Sequence, residues 1–166
     1  MKRYQFRAAL AAALLLAGAG QAMAAVSGMT PFVPPPPDGW MSAMPPNETE
    51  DENSVEPMVS QGYGPATPGA PGFMSITFTH PAPEDMASRF QDPRPLGPNP
   101  FAPQFVTSQV KVNQLDAYLI YDAEGRGGVL QVRVGRVLVG IVGSEITPEQ
   151  LVGLASSIKT DRLLKY

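Results

Sequence analysis

Residues 129–142 read Val-Leu-Gln-Val-Arg-Val-Gly-Arg-Val-Leu-Val-Gly-Ile-Val. Leu130, Val132 and Val134 alternate with Gln131 and Arg133. That period of two places successive side chains on opposite faces of a strand. Gly135-Arg136 breaks the run as a tight turn. Beyond it, Val137, Val139 and Ile141 face one way, and Leu138 and Val142 the other. A strand apolar on both faces is expected to be covered on both.

The pattern extends upstream. Ala117 to Asp122 (AYLIYD) is rich in aromatic and β-branched residues and reads as a strand. Glu124-Gly125-Arg126-Gly127-Gly128 is a flexible turn between it and Val129. Phe105 to Val112 alternates, with Val106, Val110 and Val112 opposite Thr107, Gln109 and Lys111. Four strands with short connections predict an antiparallel meander. Downstream, Thr147-Pro148-Glu149-Gln150 is a helix start, with Thr as N-cap, Pro at the first position and Gln completing a capping box. Leu151, Leu154, Ala155 and Ile158 then form one apolar helical stripe, suited to cover one sheet face. A short turn over Asp161 to Lys165 offers Leu163 and Leu164 for docking.

The other half of the chain has a different texture. Of 19 prolines, 18 lie between Pro31 and Pro103. Residues 25–37 read as a Pro-rich flexible leader ending in four prolines, which favour a stiff extended spacer. Asp38-Gly39 makes a turn before Trp40, the single tryptophan, expected as an anchor at the edge of the core. Glu48 to Glu56 carries five acids and no base, and reads as a solvated loop. Val55 to Tyr63 is a marginal strand. Phe73 to His80 is a better one, with Met74, Ile76, Phe78 and His80 on its apolar side and Pro81 stopping it. Ala82 to Arg89 suits a short helical turn led by Glu84 and Asp85. Strand and plug residues in this half argue that residues 38–166 form one domain, irregular over 38–103 and regular over 104–166.

The N-terminus carries Lys2, Arg3 and Arg7, then the apolar run Ala8 to Ala17, then Ala22-Met23-Ala24. This order of charge, short apolar core and small-x-small site resembles a bacterial Sec signal peptide. The resemblance implies cleavage after Ala24 and export to a periplasm or beyond the cell. The apolar core is about ten residues, short of the ~20 that span a bilayer. No later run is long enough, so no membrane span is expected in the mature chain. Removing the first 24 residues leaves 9 basic against 15 acidic side chains. An acidic surface is a poor match for nucleic acid.

Little catalytic chemistry is on offer. There is no cysteine, which excludes disulfides, a thiol nucleophile and lipid attachment, and there is one histidine, His80. Ser156-Ser157-Ile158-Lys159 matches S-x-x-K, but at the wrong end of a helix and without its companion motifs. The glycines at 125, 127 and 128 lead into a strand, not into a helix that would receive phosphate. Met41 and Met44, with His80, make a candidate thioether and imidazole set for copper. No cofactor is otherwise implied. The sequence therefore predicts an α+β fold, an antiparallel sheet of four to six strands with a C-terminal helix packed on one face. It predicts an exported, non-catalytic binding module acting through a sheet face or by self-association, with copper handling as the alternative.

Overall fold

The computed structural model describes residues 28–50, 57–90 and 96–166. The expected signal peptide at 1–24 and most of the acidic run lie outside these residues. The chain is built on one antiparallel sheet. Its strands are β1 (Trp40–Ser42), β2 (Asn47–Glu50), β3 (Pro57–Pro65), β4 (Phe73–Thr79), β5 (Gly97–Asn99), β6 (Ala102–Val112), β7 (Leu115–Asp122), β8 (Gly127–Val134) and β9 (Val137–Ser144). Among the described residues three short α-helices accompany them, α1 (Pro83–Arg89), α2 (Pro148–Ser156) and α3 (Thr160–Leu163), with one 3-10 turn at Thr30–Phe32. The strand order is β1-β3-β4-β9-β8-β7-β6-β5, with β2 also on β3.

Nine strands among the described residues correct the expected four to six. The protein is mostly antiparallel sheet with a few short helices. The extra strands come from the proline-rich half. β1, β2 and β5 are three or four residues long, and all three lie at the edges. Proline is tolerated there because an edge backbone can forgo a ladder donor.

The meander β6–β9 forms as the alternation predicts. Between β6 and β7, Asn113 and Gln114 both adopt positive φ, the conformation of a two-residue hairpin turn whose twist matches the strands. The Asn113 amide then donates to the carbonyls of Ser156 and Ile158, closing the end of α2. β9 is the central joint. It pairs with β8 on one side and with β4 on the other, matching Ile141 with both Leu130 and Ile76.

One face, here the inner, holds the core. Ile76, Phe78, Leu130, Val132, Val139 and Ile141 are wholly buried there. α2 lies across it, and its Leu151, Leu154 and Ala155 are buried as the stripe requires. The helix begins with the predicted capping box. The Gln150 N–H donates to the Thr147 hydroxyl, and the Thr147 N–H donates to Gln150 Oε1. Gly143 leaves room for a close approach: a Cβ there would run into the Ile146 side chain and come within 3.0 Å of the Phe73 carbonyl oxygen. Ile146, itself wholly buried, is thereby seated at the entry to α2.

The last residues of the expected leader also belong to this core. Met29 is wholly buried, and Phe32 and Val33 pack against the cluster. The Tyr63 hydroxyl donates to the Pro34 carbonyl at 2.7 Å. Burial pushes the Tyr63 phenol up to about 12. Residues 29–34 thus form a strap on the sheet, where a free-standing spacer was expected. Trp40 is partly buried against the same cluster, as an edge anchor should be.

Candidate functional site

Cross-strand register sorts the residues of the opposite, outer face into rows. One row runs Ser75, Val142, Val129, Ile120, Thr107 across five strands. The next runs Phe73, Ser144, Gly127, Asp122, Phe105. These rows carry an exposed apolar surface: Val142 is 40%, Ile120 38%, Phe105 37% and Phe73 36% exposed. β9 was expected to be covered on both sides. Its Val137, Val139 and Ile141 are, but Val142 is not. Alternation says which side chains share a face. It does not say whether anything lies on that face.

Part of the outer face does have a cover. Phe90, just after α1, packs on Tyr118 with ring centroids 5.7 Å apart. Met86 of α1 is buried although it lies outside the inner cluster. The rows from Val142 toward Ser144 stay open. At the β5–β6 turn, Phe101 extends the apolar character, standing 96% exposed, with its N–H held by the Asn99 side chain.

The rim beside the open rows is acidic. Asp122 Oδ1 accepts from the N–H groups of Glu124 and Gly125, which shapes the β7–β8 turn. Glu145 lies 3.5 Å from Arg126, both exposed. The glycine-rich run is therefore a hairpin turn, closed by a carboxylate of its own chain. Farther along the outer face, Asp116 accepts from Gln109 at 2.8 Å and pairs with Lys111 at 2.7 Å. The Lys111 hydrogen bond, then that of Gln109, holds its carboxyl below the ordinary range.

The candidate metal residues are placed apart. Met41 lies opposite Gly64 near one end of β3. The His80 N–H donates to the Pro57 carbonyl at the other end. Seven residues of strand separate those positions, about 23 Å at strand rise. Met44 follows β1, and its carbonyl accepts from Gln61 Nε2 at 2.6 Å. Met41 and Met44 are both 53% exposed. Among the described residues no three His, Asp or Glu side chains gather as a metal would need. Ser156 ends α2, and the Ser157 hydroxyl donates to the Leu154 carbonyl, so the S-x-x-K match sits on a helix C-terminus.

His80 itself falls on the inner side, where the alternation of β4 places it. Its ring meets that of Tyr166 edge-on, with centroids 5.8 Å apart. Its Nε2 is buried with no hydrogen-bond partner. Burial, and then the charge of Arg136, lower its pKa from the ordinary 6.5. Neither Tyr166 nor Arg136 is a neighbour of His80 in sequence, so no local pattern announced this group.

Among the described residues no helix is long and apolar enough to cross a membrane. Compared with family models, curated proteins and solved structures, the chain matches none.

Proposed function

We propose that this chain is an exported, non-catalytic binding protein that engages a protein partner through the open rows of its outer sheet face. The carrying observation is the contrast across β9: Ile141 is wholly buried, and Val142 beside it is 40% exposed, in line with Val129 and Ile120. Monomeric soluble proteins keep contiguous apolar patches small, and larger ones with a polar rim mark interaction sites. The open row crosses five strands, about 19 Å at ordinary strand spacing. Asp122, Glu124 and Glu145 border it, against Arg126. The fitting partner presents an apolar surface flanked by lysine or arginine. Export rests on the N-terminal order of Lys2, Arg3 and Arg7, an apolar core and Ala22-Met23-Ala24.

Site-specific photocrosslinking in cells producing the full chain tests the reading. Probes at Val142 and Ile120 are expected to give one discrete heavier adduct. It weakens in Glu124→Lys and is absent when the probe stands at Glu149, exposed on α2. An adduct at twice the chain mass makes a second copy the occupant. No adduct at either outer position removes the reading.

A further inference from the structure

On the inner side, the strap over residues 29–34 is held at several points. The Phe32 N–H donates to the Met29 carbonyl at 2.9 Å, and that of Val33 to the Thr30 carbonyl at 3.1 Å. The Thr30 N–H and hydroxyl both donate to Glu48 Oε1. Over the strap sits Tyr166. Its ring meets Phe32 edge-on at 5.8 Å, as it meets His80. It also lies 3.5 Å from where a Cβ on Gly28 would stand. Three rings, Phe32, Tyr166 and His80, thus connect the strap to the end of β4.

The last ring is the one that titrates. A neutral imidazole has one donor and one acceptor nitrogen, but the protonated ring donates from both. His80 Nε2 is buried without a partner, so a proton there has no acceptor to receive it. An unmatched buried donor is costly, and more so when charged. Leaving the clasp returns that nitrogen to water.

We propose that His80 is an acid-sensitive pin: protonation of its ring loosens Tyr166 and frees the strap from the inner face while the rest of the sheet stays folded. Burial, then Arg136 on the β8–β9 turn, holds the clasped ring below its ordinary 6.5, so the released state takes up the proton first. The clasp is therefore at full strength above pH 6.5 and weakens as pH falls toward the lowered value. Among the described residues, the charge acting on the ring is that of Arg136 and the ring it meets is that of Tyr166, while the Pro57 carbonyl on β3 holds the His80 backbone N–H. Glu48 on β2 acts on the strap through Thr30. This device is independent of what the outer face binds.

Amide hydrogen exchange of the full chain at pH 7, 6 and 5, corrected for intrinsic rates, tests it. Protection at Phe32 and Val33 is expected to fall about threefold or more between pH 7 and 5, the direction linkage demands. Val132 in β8 should hold its protection throughout. His80→Gln should abolish the dependence at the strap, which also separates any part played by Glu48. Arg136→Gln, on an exposed turn, should raise the midpoint of the His80 ring signals and shrink the acid effect. The proposal is overturned by strap protection that ignores pH, by an equal loss at Val132, by a dependence that survives His80→Gln, or by an Arg136→Gln midpoint that does not move.

Discussion

The two faces of this sheet share the same strands and differ in what was laid over them. On the inner face, Val139 and Ile141 are wholly buried beneath α2, α3 and the strap. On the outer face, Val142 and Ile120 point away from the same backbone and keep well over a third of their surface. A β-branched residue suits either side of a pleated strand, so residue type alone does not separate the two. The separation is made by segments outside the strands. α2 returns across one face at once, through a capped helix start. α1 and Phe90 reach only part of the other.

Three substitutions sharpen or break that contrast. Leu154→Ala, in the buried stripe of α2, should cost about 3 kcal/mol, in the range for a large core side chain cut to alanine. Chemical denaturation measures it, and a loss below about 1 kcal/mol would mean that α2 does not seal the inner face. Thr147→Ala removes the N-cap and should cost about 1 kcal/mol by the same measurement. No change would show that tertiary contacts alone hold the helix start. Val142→Thr, in the open row, should stay within about 0.5 kcal/mol, as exposed positions do. A loss comparable to that of Leu154→Ala would mean that the outer face is covered after all.

The parts of the fold that could be read in advance have a period. β8 and β9 were legible from valines at every second position, and β4 from Met74, Ile76 and Phe78. The helix start was legible because the capping box is a local exchange between residues three apart. β1, β2 and β5 have too few residues to show any period. They exist because β3 and β6 offer backbone partners, which is a property of neighbours distant in the chain. Pro98 stands inside β5 itself, Pro45 and Pro46 precede β2 and Pro100 follows β5, so prolines mask these strands in the sequence. Met29 looked like part of a spacer, since one apolar residue among prolines carries no pattern. Its place depends on a partner distant in the chain: Tyr63, 34 residues on, donates to the Pro34 carbonyl and holds the strap down.

The candidate site was half legible for the same reason. The double apolarity of Val137–Val142 pointed to β9, which the exposed row crosses. It implied a cover on each side, whereas exposure depends on what α1 fails to reach. Alternation puts His80 on the apolar side of its strand, but its surroundings assemble from Arg136 and Tyr166, 56 and 86 residues away.

The pairing of β4 with β9 has a consequence in time as well as in space. Phe73 lies opposite Ser144, and Thr79 opposite Leu138, so every contact of that ladder spans roughly sixty to seventy residues. The hairpin β3–β4 closes within residues 57–79, and the β6–β9 meander closes through short turns of its own. Between those events β4 presents an open edge bearing Met74, Ile76 and Phe78, the kind of strand that pairs readily with the wrong chain. β9 begins at Val137, 58 residues beyond the end of β4 at Thr79, so that edge stays open until most of the chain is available. Pairings this distant in the chain form slowly, because loop-closure entropy is lost before the ladder compensates it.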